Sequence, residues 1–244
     1  MTAASEMQSE AHGHEHKDVS GGWLRPAVFG AMDGLVTNVS LIAGVGAGVS
    51  ASSASAHIIV LTGLAGLAAG AFSMATGEYV SVSSQNELVA AEVRKEQFEL
   101  EHNPEVERRE LAASFRSQGV DTDLADKVAR QISAHPEQAL GVHVREELGV
   151  DHHELPSPYT AAGVSLVTFA LGALIPLLPY LFGLDNLAAA LGLAAVAAFV
   201  GGGMVARLTD RPFLPGALRQ LILGVAAAGI TFLIGSAVGG AGLS

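Results

Sequence analysis

Residues 57–80 read HIIVLTGLAGLAAGAFSMATGEYV. The stretch carries one carboxylate, Glu78, among aliphatic and small residues. A helix of about 20 predominantly apolar residues crosses the hydrocarbon core of a bilayer, and this run is long enough. On either side of it four more runs qualify: 27–49, 159–181, 187–206 and 216–238. Turn and charge signals separate them, including Ser50-Ala51-Ser52-Ser53, Gly183-Leu184-Asp185-Asn186 and Asp210-Arg211-Pro212. The chain therefore reads as an all-α integral membrane protein with five transmembrane helices. Small-xxx-small pairs such as Gly30/Gly34, Gly44/Gly48, Gly66/Gly70 and Gly235/Gly239 suit close helix packing in lipid.

Composition agrees. Half of the 244 residues are hydrophobic and only 15% are charged, too apolar for an ordinary soluble domain. Charges crowd into residues 85–154, so the net charge of −11 belongs mainly to water-exposed segments. An acidic balance argues against nucleic-acid binding, which needs basic surface, and suits cationic partners. The absence of cysteine removes disulfides, thiolate metal sites and cysteine nucleophiles. The first 22 residues are polar, with His12, His14 and His16, and lack the basic and apolar regions of a cleavable signal peptide. That tail could hold metal loosely, but no site is assigned to it.

The cations fix an orientation. Lys17 and Arg25 precede the first span, and eight further Lys and Arg residues lie between the second and third. Arg207, Arg211 and Arg219 surround the loop between the fourth and fifth. The other two loops and the C-terminal tail have none. The positive-inside rule then places the N-terminus and the long insert in the cytoplasm and the C-terminus outside.

Two acids lie inside apolar runs, Asp33 in the first and Glu78 in the second. An intramembrane carboxylate is costly and usually faces a cavity, a pathway or a partner. Depth counting from the cytoplasmic ends puts Asp33 and Met74 at similar levels, with Glu78 one turn nearer the cytoplasm than Met74. Carboxylates with a thioether suit a transition metal better than magnesium or calcium, and either acid could carry a proton. The bland alternatives are a hydrogen-bonding Asp33, a packing Met74 and a Glu78 that reaches the interface.

Residues 83–154 read as a helical insert: a helix over 85–102, a break at Asn103-Pro104, and helices over 105–118, 122–133 and 136–149. Its apolar positions are too few for a large independent core, which suggests association with a second copy or docking beneath the membrane. Glu96 and Glu99 share a helix face, as do Glu107 and Glu110, and the break lets the two helices fold back. Glu147, with His143 one turn earlier, could complete a cluster. Clustered carboxylates repel, so such a group needs a cation. The alternative is a solvated acidic surface paired with Arg94, Lys95, Arg108 and Arg109. Glu99 and His102 also form one Glu-x-x-His unit, which di-iron carboxylate proteins use twice; no second copy is found.

Two segments carry a resemblance: Asp33-Gly34-Leu35-Val36-Thr37-Asn38, and Ser73-Met74-Ala75-Thr76-Gly77-Glu78-Tyr79-Val80-Ser81-Val82. At this spacing, followed by a long acidic insert, they resemble the vacuolar iron transporter family. The resemblance spans nearly the whole chain from Arg25. It implies a five-span protomer that dimerises, with an ion route near the dimer axis between the first spans. It also implies exchange of cytosolic Fe2+ or Mn2+ for protons and a cytoplasmic domain that binds metal through glutamates. On this chain the membrane aspartate and methionine match Asp33 and Met74. The cytoplasmic glutamates match Glu96, Glu99, Glu107, Glu110 and Glu147. Where the family pattern leads one to expect methionines, this chain has His143 and Val144; imidazole still binds iron, manganese and zinc.

The expected organisation is a polar tail over 1–24, spans one and two over 25–82, the metal-binding insert over 83–154, and spans three to five over 155–244. The expected function is a non-enzymatic, homodimeric, proton-coupled exporter of Fe2+ and also Mn2+, with Zn2+ a further ligand and no catalytic cofactor. The expected location is a prokaryotic plasma membrane, or a vacuolar membrane in a eukaryote. The rivals are a membrane-anchored iron oxidase or storage partner, a metal sensor, and a passive channel.

Overall fold

The computed structural model of the chain describes residues 22–48 and 53–240. The N-terminal histidines and most of the first loop signal lie outside the described residues. The described residues form nine α-helices and no strand. Five helical segments are long and apolar enough to cross a membrane.

The first, α1 (Leu24–Gly48), opens with Arg25 and Pro26 in its first turn, where proline's missing N–H costs nothing. The second, α2, runs without a break from Ser53 to His102. The sequence pattern separates the second span from the helix over 85–102, and the structure joins them. The junction through Ser81, Ser83 and Ser84 contains neither proline nor glycine, so nothing in it stops a helix. The fifty residues of α2 rise about 75 Å, more than twice the hydrocarbon thickness, so its polar C-terminal half stands outside the apolar layer.

Pro104 starts α3 (Pro104–Ser117), Asp121 caps α4 (Thr122–Ser133) by accepting from Asp123 N–H at 3.0 Å, and Pro136 starts α5 (Pro136–Leu148). Gly149 closes α5 in the left-handed region at φ 67°, where a side chain would be strained. These three helices enclose a small core of Leu111, Ala112 and Ala129, flanked by Phe115, Ile132 and Val142.

The chain returns through α6 (Pro158–Leu174), a 3₁₀ turn at Ile175–Leu177 and α7 (Leu178–Leu181). Pro176 and Pro179 lack the N–H groups that a straight helix would need, so the third span is broken near its end. The buried Asn38 side chain donates from Nδ2 to the Ala173 carbonyl at 2.5 Å, which ties α1 to the edge of that break. The last spans are α8 (Leu187–Leu208) and α9 (Phe213–Gly240).

Helix α1 lies at the centre of the spans, against α2, α6, α8 and α9. Its contact with α6 is backbone to backbone: a Cβ on Gly34 would fall 2.1 Å from the Phe169 carbonyl oxygen, and one on Gly172 2.1 Å from that of Ala31. Elsewhere Leu35 and Val39 pack on Ala194 and Ala198, and Ile42 packs with Ile59, Leu177 and Tyr180. Large apolar side chains on the perimeter, such as Leu61, Phe72, Ile222 and Leu233, are exposed, as a lipid-facing surface requires.

Candidate metal centre

The break at Asn103 and Pro104 turns α3 back beside the end of α2, and Glu146 fixes α5 against α3. Its Oε2 accepts from Ser114 Oγ at 2.9 Å and from Gln118 Nε2 at 2.5 Å. These constraints bring Glu96 of α2, Glu107 of α3, and His143 and Glu147 of α5 together. One ligand atom from each lies within 4.8 Å of all the others. His143 sits in the middle: its Nδ1 is 3.0 Å from Glu96 Oε1, 3.6 Å from Glu107 Oε2 and 3.6 Å from Glu147 Oε1.

The site is asymmetric in its access to water. His143 is fully buried, Glu96 and Glu107 are mostly buried, and Glu147 is 45% exposed on the open side. Glu96 Oε1, Glu107 Oε2 and His143 Nε2 are buried without a hydrogen-bond partner among the described residues. Burial, with the neighbouring charges of Glu147 and Glu110, pushes the Glu96 carboxyl from 4.5 up to about 7. Burial, with the charges of Glu96 and Glu110, does the same to Glu107. No Lys or Arg among the described residues pairs with these carboxylates. Arg108 turns to Glu105 at 2.5 Å and Lys95 to Glu92 at 3.9 Å. Three carboxylates gathered around one imidazole, with no Lys or Arg paired to them among the described residues, make a donor set that suits Fe2+, Mn2+ or Zn2+.

Glu99 and Glu110 are not in that ligand group. Glu99 accepts from Asn103 Nδ2 at 2.6 Å, and Glu110 is exposed, close enough to raise both buried carboxyls. His102 Nδ1 meets its own helix at the Phe98 carbonyl, 2.8 Å away, and its ring stacks on Phe98. The Glu99–His102 unit therefore does not join a di-iron arrangement among the described residues.

Within the spans Asp33 is half-buried, and its Oδ1 accepts from Thr37 Oγ1 at 3.4 Å. Met74 is half-buried and packs against Ala71, Phe169 and Ala173. Gly66 of α2 abuts Asn38 and Leu41 of α1, so Met74, two turns along the antiparallel α2, lies within about one turn of the Asp33 level. Glu78 is buried, and Arg25 Nη2 donates to its Oε1 at 3.1 Å and Oε2 at 3.2 Å.

A sequence model of the VIT family matches residues 24–236. The chain belongs to the vacuolar iron transporter (VIT) family. It is 37% identical over 230 residues to a vacuolar iron transporter of Acanthamoeba castellanii, covering 91% of this chain and 82% of that one. It is 28% identical to vacuolar iron transporter 1 of Arabidopsis thaliana, over 96% of this chain and 93% of the relative. A third relative, vacuolar iron transporter homolog 3 of Arabidopsis thaliana, is 33% identical over 88% of this chain and 84% of its own length.

In this VIT-family chain two site features escaped the sequence reading. In the sequence Arg25 serves as an orientation signal and a depth mark and is assigned no partner, although it stands two turns below Asp33, within reach of a carboxylate one turn below Met74. Asn38 was read only as part of a motif; no spacing rule links it to a carbonyl 135 residues away.

Proposed function

We propose that this membrane protein exports Fe2+, and also Mn2+, from the cytoplasm in exchange for protons, acting as a transporter and not as an enzyme. The observation that carries the reading is the Glu96–Glu107–His143–Glu147 group, buried but for Glu147 and gathered around the polar extension of a membrane-spanning helix. In this reading the insert lies in the cytoplasm, as the cation distribution favours, and captures the ion. Asp33, with Met74 nearby, passes it through the spans, while Glu78 serves the cytoplasmic mouth. Two copies form the working unit, with the route near the first spans.

The carboxylates of Glu96 and Glu107, close to neutrality in their titration, exchange protons for a divalent ion at physiological pH. Glu147, on the open side, is the first ligand an arriving ion meets. Asp33 has no cationic partner among the described residues, so a passing ion supplies its charge.

The test is metal uptake into sealed proteoliposomes under an imposed pH gradient, comparing Fe2+, Mn2+ and Zn2+ for the parent and Asp33→Ala. Gradient-dependent flux that the variant loses supports the reading. A folded, reconstituted parent with no flux would refute it, and oxygen consumption with Fe2+ would then favour an oxidase.

A further inference from the structure

Among the described residues of the five apolar helices, Glu78 is the buried carboxylate, and its cation is Arg25. The two partners are unequal. The Arg25 side chain is 75% exposed, whereas that of Glu78 is 8% exposed. An exposed guanidinium at the first turn of α1 can swing away at little cost. The carboxylate cannot follow it, and a buried charge left alone is strongly unfavourable. The pair therefore opens readily only when another cation takes the vacated place.

Three features make Arg25 a weak holder of that place. A single nitrogen, Nη2, bridges both carboxylate oxygens, so the two-nitrogen fork that makes arginine–carboxylate pairs strong is not used. Arg25 also sits in the first turn of α1, where the helix macrodipole disfavours a positive charge. Ordering a long exposed side chain costs conformational entropy as well. A divalent ion has twice the charge of the guanidinium and outcompetes it at contact distance. A hydrated monovalent ion has no such advantage.

We propose that Arg25 is a tethered counter-ion that holds Glu78 between transport events and yields it to a divalent but not to a monovalent cation. Arg25 is then a positioning residue that sets both the affinity and the charge selectivity of Glu78, one turn from Met74. The inference rests on the transport reading given above. The competing account is that the pair only clips α1 to α2.

The experiment is pH-gradient-driven Mn2+ uptake by the full chain in sealed proteoliposomes, with and without excess K+. The proteins are the parent, Arg25→Gln, Arg25→Lys and the exchange R25E/E78R, each checked for helicity and size. With its competitor gone, Arg25→Gln should lower KM for Mn2+ roughly tenfold, the scale of one charge-assisted hydrogen bond. Its kcat should fall because release slows, and K+ should become a competitive inhibitor, which it is not in the parent. Arg25→Lys keeps a tethered cation and should keep K+ excluded. The exchange variant restores the pair but moves the carboxylate to the exposed end, and it should fold without transporting.

Parent-like KM and K+ insensitivity in Arg25→Gln, or parent-like transport by R25E/E78R, reduces the pair to a clip. If Arg25→Gln does not fold, the exchange and lysine variants decide. No flux in the folded parent overturns the transport reading and this inference together. Flux in the parent with unaltered Arg25→Gln overturns this inference alone.

Discussion

His143 is enclosed on every side by protein, yet its ring faces three carboxylates and its Nε2 has no partner among the described residues. As the nitrogen donor of an otherwise oxygen site, it should discriminate among metals. His143→Ala should weaken Zn2+ binding about tenfold or more and Mn2+ binding less, because imidazole favours the later metal more strongly. Titration calorimetry on the detergent-solubilised protein reads this, and equal losses for both metals would remove His143 from the ligand set. The acidic neighbours set a pH dependence. Glu96 and Glu107 titrate near 7 in the fold against an ordinary 4.5, with Glu110, Glu147 and His143 facing them. Their folded values are raised, so the metal-free fold binds extra protons. Its stability from these groups is complete below about pH 4.5 and is lost as pH rises through 7. Metal-free protein should melt at a lower temperature at pH 8 than at pH 6, and added Mn2+ should close the gap while releasing protons. A melting temperature independent of pH in that window would contradict the burial of these carboxyls. The spacing of Glu96/Glu99 and Glu107/Glu110 was legible in the sequence. Which member of each pair turns inward was not, because that depends on how α2 and α3 cross.

The five spans were legible because length and apolarity alone define a lipid-crossing helix. The continuity of α2 was not, because a change from apolar to polar composition marks a change of solvent and does not stop a helix. That continuity fixes the angular phase between the spans and Glu96. Inserting one alanine between Val82 and Ser83 turns the distal half by about 100° relative to the spans. Metal binding at the insert should survive, since its ligands move together, while flux in proteoliposomes should fall sharply. A four-residue insertion, close to one full turn, should recover part of it. Equal flux from both variants would show that the phase does not matter. The Asn38–Ala173 bond joins α1 to the broken third span, and Asn38→Leu would leave that carbonyl without its donor. The cost should be about 0.5–2 kcal/mol in a denaturant titration, the scale of side-chain hydrogen bonds within membranes. An unchanged midpoint would mean that the carbonyl finds another donor.

At the scale of the whole molecule, the cation distribution proposes which end faces the cytoplasm, and the chain's lack of cysteine makes that directly testable. Single cysteines at Gln118 in the insert and Leu184 in the loop before α8 are both exposed. In intact cells an impermeant maleimide should label Leu184→Cys at once and Gln118→Cys only after lysis. The reverse pattern would invert the assigned direction of transport. Charge segregation supplies an orientation for that experiment to test, whereas the arrangement of α1 among four other helices was not legible in the sequence, because glycine-mediated contacts such as Gly34 with Phe169 are specified in three dimensions. The length of α2 has a mechanical consequence. Glu96 stands eighteen residues, about 27 Å, beyond Glu78 on one unbroken rod. A tilt of the membrane half by about 5° would sweep Glu96 sideways by roughly 2 Å. Glu107, His143 and Glu147 ride on the same extension, so the candidate ligand group travels bodily with it. The rod is thus a lever: the lean of the second span sets where the acidic group stands over the mouth of the spans, and leaves the spacing among its four members unchanged.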